Sequence, residues 1–183
     1  MTDTHCDDQE EVLDDLSTID PLASLEKTQM NLGKCKNDYF NAKSEGINYF
    51  NEAFWSQYDS AGYSVHYGRN YNGELSSLDF VRRNRVAGLT QEMDANTKYA
   101  HKYLFGVFKI VVNSDFSRDI VALFITRGQE VLGSVFGEQN AFFDWTKLNT
   151  DDQSTKDIVS SAFSTVVGEV FDGNKVEHHV VFV

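Results

Sequence analysis

Ile120-Val121-Ala122-Leu123-Phe124-Ile125, running into Thr126-Arg127-Gly128-Gln129-Glu130, decides how this chain is read. Six consecutive apolar residues, rich in Ile, Val and Phe, are too few for an ordinary helix. They read as a strand covered on both faces. The residues after Thr126 set opposite charges and a carboxamide around a glycine, a combination that a merely solvated loop does not need. Just upstream, His101 to Val112 reads as another doubly covered strand. Leu104, Gly106, Phe108 and Ile110 line one face; Tyr103, Phe105, Val107 and Val111 line the other. Asn113-Ser114-Asp115 is a turn by residue type, so the two strands are predicted to pair antiparallel.

Moving outward, Tyr63 to Tyr71 alternates Tyr, Val, Tyr, Arg, Tyr with polar residues or Gly, which predicts a strand with one buried face. Asn72-Gly73 ends it, and Glu74 to Asp79 fits a short helix. Phe80 to Met93 reads as a strand through Val86, Ala87 and Leu89, closed by a turn at Asp94-Ala95-Asn96. Residues 22–58 read as mostly helical. Leu25, Gln29 and Leu32 share a face, and an apolar stripe runs on through Tyr39, Phe40, Tyr49, Phe50, Ala53 and Phe54. Beyond the opening stretch, Phe142 to Leu148 suggests a short strand. A helix capped by Thr150 or Asp151 runs to Val167, and Val176 to Val183 forms an edge strand or an extended docked tail. The pattern is α+β: a sheet of about five antiparallel strands flanked by helices, in a single domain over residues 21–183. Asp20-Pro21 marks its start, because the residue before proline is pushed out of the helical region.

Composition bounds the function. With 183 residues, 14 Phe and 8 Tyr, the chain can bury a sizeable core. No apolar run reaches the roughly 20 residues of a membrane helix, and the acidic N-terminus carries no signal-peptide pattern. These features lead to the expectation of a soluble, cytoplasmic protein. Cys6 and Cys35 fit a reducing compartment. Of the net charge of −12, most lies in residues 1–20, which hold eight acids and no Lys or Arg. Such a segment is predicted to be a disordered acidic tail, either solubilising or docked on a basic partner. The acidic balance argues against direct nucleic-acid binding through a wide basic face.

Catalytic patterns find little support. No Gly-rich phosphate loop, GxSxG or HExxH occurs. His178 and His179 are adjacent, which on a strand sends them to opposite faces and makes a poor metal pair. His66 falls on the polar face of its predicted strand and reads as exposed. His101 opens a predicted strand and reads as half-buried, with general base to a bound ligand as the alternative. Arg82, Arg83 and Arg85 form the chain's basic cluster, with Arg83 and Arg85 sharing one strand face. They are candidates for docking an anion, or for ion pairing within the molecule. No catalytic group, cofactor or metal site is assigned.

Taken in order, Tyr39-Phe40-Asn41, Phe54-Trp55, Tyr58-Asp59, Gly62-Tyr63-Ser64-Val65, Phe105-Gly106, Arg127-Gly128-Gln129-Glu130, Asp144-Trp145 and Lys147-Leu148-Asn149 form a succession. It resembles the conserved C-terminal domain of elongation factor 1-gamma over about residues 20–175. The Phe-Trp…Gly-Tyr-Ser and Arg-Gly-Gln-Glu blocks are its most specific parts. The resemblance implies an antiparallel sheet flanked by helices, and a non-catalytic, protein-interacting subunit of the complex that recharges elongation factor 1A with GTP. Phe54, Trp55, Gly62, Tyr63, Arg127, Gly128, Gln129, Glu130 and Trp145 match its motif positions, as partner contacts or as core. The family's glutathione-transferase-like domain has no counterpart in these residues, and an acidic segment replaces its Lys/Pro-rich linker. Two alternatives therefore stand beside the translation role. One is a structural subunit of another large assembly, suited by strand addition through the apolar residues 176–183. The other is a ligand-binding or enzymatic domain using a sheet–helix cavity near His101.

Overall fold

The apolar run forms the centre of β3 (Arg118–Arg127), a ten-residue strand buried everywhere except at its two ends. The computed structural model describes residues 25–70, 78–96, 100–129 and 132–183. β3 pairs antiparallel with β2 (Leu104–Val112), Ile120 lying opposite Ile110 and Thr126 opposite Leu104. On its other side it pairs antiparallel with β1 (Tyr63–Asn70), with Tyr63 opposite Arg127. β4 (Asp144–Leu148) extends the sheet beyond β1. β6 (Asn174–Phe182) pairs with β2, and the two-residue β5 (Val170–Phe171) closes that edge, giving the order β4-β1-β3-β2-β6-β5. The fold is α+β, as the pattern predicts.

Period-two alternation divides the apolar side chains of the central strands between two cores. Val121, Leu123, Ile125, Phe105, Val107 and Val111 join one cluster with α1 (Leu32–Ser44), the turns around Tyr49–Tyr58 and α5 (Gln153–Ser164). Ile120, Ala122, Phe124, Leu104, Phe108 and Ile110 join the other, with α2 (Asp79–Asn96), α3 (Ala100–Tyr103) and α4 (Leu132–Phe136). Each Phe that is fully buried here contributes ~1.5–3 kcal/mol relative to exposure. Rings carry much of the first cluster: Phe50 stacks on Phe163 at 4.1 Å between centroids.

Several expectations give way. Residues 80–93 are not a strand but the middle of α2, and 94–96 are its last turn. Arg82, Val86, Leu89 and Met93 are its buried side chains, a spacing of four, three and four that is helical and does not alternate. Among the described residues 25–58, α1 is the one α-helix. It starts at Asn31, whose side chain accepts from the Lys34 amide at 2.9 Å, and it stops before Gly46 at φ +73°. His101 lies in α3, one turn ahead of β2, and is exposed. α5 ends at Ser164, and its N-cap is Asp152, without a side-chain capping bond. β1 is buried on both faces; on the side expected to meet solvent the Trp145 indole lies over Gly68, and His66 is only 9% exposed. The acidic tail (1–20), Asn72-Gly73 and most of the Glu74–Asp79 stretch lie outside the described residues.

Candidate functional site

Where β3 ends, Arg127, Gly128 and Gln129 join three separate segments. Gly128 adopts φ +82°, which lets the chain leave the strand sharply. Its amide donates to the Gly62 carbonyl at 2.8 Å, and the Arg127 guanidinium donates to the same oxygen at 2.7 Å. A second guanidinium nitrogen donates to the Glu26 carbonyl, while the Tyr63 ring lies 5.4 Å beneath the cation. Tyr63 donates its hydroxyl to the Met30 carbonyl at 3.1 Å. The Gln129 amide donates to the Tyr63 carbonyl at 3.2 Å and its oxygen accepts from Lys147. Gly62 is required by contact: a Cβ there would sit 1.9 Å from Cγ2 of Thr28. Of the family-motif candidates, Gly62, Tyr63, Arg127, Gly128 and Gln129 are therefore brought together in one seam. Glu130 lies outside the described residues.

The other motif positions lie elsewhere. Phe54 is fully buried in the first core, in ring contact with Phe50 and Trp55. Trp55 is half-buried, with the Lys156 ammonium 5.7 Å from its ring. Trp145 lies on the opposite face of the sheet, across from Gly68, and packs on Phe136 and Phe143 at 5.0 and 5.1 Å. A Cβ at Gly68 would fall 2.5 Å from the Trp145 ring, so the missing side chain makes the slot that the indole fills.

Beneath the seam lies a buried hydroxyl cluster. Ser64 Oγ is 2.9 Å from His66 Nε2, 2.7 Å from Thr126 Oγ1 and 2.7 Å from the Gly128 carbonyl. A serine beside a histidine invites a nucleophile–base reading. The hydrogen count favours another arrangement. A carbonyl can only accept, so the single Ser64 proton satisfies Gly128 O, and His66 and Thr126 donate to Ser64. Ser64 is also just 2% exposed. The cluster holds the Gly128 turn in place.

The three arginines separate on α2. Arg82 is buried and pairs with Glu177 at 3.0 Å, and Glu177 also pairs with Arg118 at 3.0 Å; these cations hold its carboxyl below the usual range. Arg83 is exposed and pairs with Asp79 at 2.8 Å. Arg85 donates to Gln139 at 2.8 Å and lies over the Phe142 ring. They form no shared face of the kind a strand would supply.

Sequence reasoning missed a buried cation. Lys109, in the middle of β2, is 0% exposed. Its ammonium donates to the Thr165 carbonyl at 2.6 Å and lies 2.8 Å from Nδ1 of His179. Burial lowers the Lys109 pKa to about 8, with Glu169 opposing, and lowers His179 to about 4 with help from Lys109, Lys43 and His178. The signal was a lone Lys interrupting an apolar strand. No group of three or more His, Cys, Asp or Glu among the described residues is placed to hold a metal.

Two clefts flank the seam. One, of about 390 Å³, is lined by Tyr58, Gln129, Lys147 and Asp151 among others. The other, of about 580 Å³, gathers Lys27, Lys36, His101, Lys102 and Arg127. Lys27 and Lys36 come from one segment, Lys102 and Arg127 from distant ones, so the group as a whole carried no signal.

Comparison with known proteins bears on these residues. The family model described as elongation factor 1 gamma, conserved domain, matches residues 17–130, ending at the last residue of the Arg-Gly-Gln-Glu block. Elongation factor 1-gamma 2 of Oryza sativa subsp. japonica is 32% identical over 156 residues, covering 84% of this chain and 35% of the rice protein. Elongation factor 1-gamma of Prunus avium is 32% identical over 155 residues, with the same coverage of each chain. The Drosophila melanogaster protein of that name is 29% identical over 170 residues, covering 89% of this chain and 36% of its own. The chain thus spans about a third of the length of these relatives.

Proposed function

We propose that this chain, which belongs to the elongation factor 1-gamma conserved-domain family, is a non-catalytic protein-binding module of a translation elongation factor 1 complex, acting in the cytoplasm. Family membership is the observation that carries the reading. The geometry of the motif residues supports it: Gly62, Tyr63, Arg127, Gly128 and Gln129 bind backbone carbonyls and each other, and so build a rigid scaffold. The buried Ser64–His66 contact serves the same turn. Described residues also include no helix long and apolar enough to cross a membrane.

Two surfaces suit a protein partner. β6 gives one edge to β2 along its length, while β5 covers its other edge only at Asn174 and Lys175. Among the described residues, no strand pairs with the outer edge of residues 177–182, where an extended partner segment would add by backbone hydrogen bonds. Arg83, beside Asp79, and Arg85, beside Gln139, present exposed guanidinium groups on separate sides of α2, each offered singly to an anionic group of a partner, while Arg82 belongs to the internal Glu177 pair.

The test is capture from native extract with the tagged full chain. Subunits of the elongation factor 1 complex are expected in stoichiometric amount, with slowed amide exchange at residues 177–182 in the captured complex. Recovery of a different stable assembly, without elongation factor subunits, refutes the translation role and favours a structural role elsewhere. Capture without protection at 177–182 refutes strand addition alone.

A further inference from the structure

The cleft of about 580 Å³ beside Arg127 carries a charge opposite to that of the molecule. Its described lining includes Lys27, Lys36, Lys102 and Arg127, together with His101, and no Asp or Glu. The chain as a whole has a net charge of −12, so four cations in one concave site stand against the overall field. On the far side of His101, Asp94 of α2 faces its ring at 2.7 Å. Glu26 contributes only its backbone carbonyl, to Arg127. Lys36 donates to the His101 carbonyl, and burial lowers its pKa to about 8. Its charge therefore gains from a carboxylate brought alongside. Leu25, Met30, Leu32 and Tyr103 supply apolar wall between the cations.

The described chain begins in this wall, at Leu25. Residues 1–20, directly upstream, carry eight acids and no Lys or Arg. Within them, Glu10-Glu11 and Asp14-Asp15 alternate with Val12-Leu13 and Leu16, so acidic pairs and apolar residues arrive in the same short stretch. That is the complement of a cationic cleft with apolar walls. The connection from Pro21 to Ser24 spans at most ~14 Å at ~3.3–3.6 Å per residue, so the acidic segment is attached within that reach of the cleft. Tethering over so short a distance gives an effective concentration of order mM, enough for weak ion pairs to act together.

We propose that the acidic segment 1–20 folds back into this cleft on its own chain, its carboxylates pairing with Lys27, Lys36, Lys102 and Arg127. The segment then acts as an intramolecular occupant that an anionic partner must displace. The inference is independent of which complex the protein serves.

Cys6 makes the test possible in the full chain. It lies in the tail, whereas Cys35 is 0% exposed in the first core, so a nitroxide reagent applied to the native protein labels Cys6. Paramagnetic broadening of amide signals then maps where the tail lies. Broadening centred on Lys27, Lys36, Lys102 and Arg127 is expected, falling several-fold in a Lys27→Glu/Lys102→Glu variant. It is also expected to vanish in unsubstituted protein at about 1 M salt, where the Debye length is ~3 Å. The salt arm needs no substitution, so a misfolded variant leaves the test intact. Three results overturn the proposal. The first is uniform broadening, or broadening centred on Arg83 and Arg85. The second is broadening seen only between a nitroxide-labelled molecule and a separate isotope-labelled one, which makes the occupant a second copy. The third is binding of a single-stranded RNA oligonucleotide at the cleft in protein whose Cys6 broadening is not centred there, which assigns the cleft to nucleic acid.

Discussion

Gly62 and His179 show how single side chains govern this molecule by what they lack and what they cannot ionise. Gly62 sits where the turn before β1 meets Thr28, with no room for a methyl group. Gly62→Ala is expected to destabilise by ~1–3 kcal/mol through overpacking, read as a lower denaturant midpoint. Thr28→Gly in the same background should recover part of the loss; an unrecovered loss would place the strain elsewhere. His179 acts through protons. Its pKa in the folded chain is about 4, against an ordinary value of 6.5. Between these values the unfolded chain binds the proton and the folded chain does not. Stability therefore rises with pH across that window and is lost as pH falls from 6.5 towards 4, by about 2 kcal/mol between pH 6.5 and 4.5. The low carboxyl pKa values of Asp115 and Glu177 also weaken the fold in acid. That loss is common to wild type and to His179→Gln, which keeps an acceptor for Lys109 but does not titrate. The predicted difference is a shallower fall in the variant, measured by urea unfolding at pH 6.5 and 4.5. Equal slopes would show that His179 does not carry the effect.

At the scale of elements, β4 is the least enclosed of the longer strands, and Trp145 holds it in place. The indole occupies the slot over Gly68 and contacts Phe136 and Phe143. Trp145→Ala is expected to cost about 3 kcal/mol, the low end for a large aromatic truncation, because the residue is only half-buried. Unchanged thermal unfolding would contradict that. Strands β2 and β3 were legible in the sequence because each is apolar on both faces, and such a run has few alternatives. α2 was misread because its exposed positions hold Phe80 and Val81, which mask a buried spacing of Arg82, Val86, Leu89 and Met93. A buried arginine in that series, paired with Glu177 on a distant strand and with Asp79 on its own helix, has no local signature. The seam was legible in part. The unusual Arg-Gly-Gln turn stood out, but its partners at Glu26, Met30, Gly62 and Lys147 are tertiary. Lys109 was passed over because its compensation comes from Thr165 and His179, 56 and 70 residues away.

For the whole molecule, the two cores on either side of one sheet leave three features directed outwards: the open edge of β6, the exposed guanidinium groups of α2 and the cationic cleft at Leu25. Under the proposed function, the β6 edge and the α2 guanidinium groups are the surfaces a protein partner would use. The family match places this arrangement among elongation factor 1-gamma domains, and the chain spans about a third of its relatives' length. Membership of an elongation factor 1 complex is tested by the migration of the endogenous protein in native fractionation of cell extract, followed by quantitative mass spectrometry of every fraction. The chain is expected to co-migrate with elongation factor 1 subunits through successive separations. Consistent migration with an unrelated assembly, away from every elongation factor subunit, would contradict it.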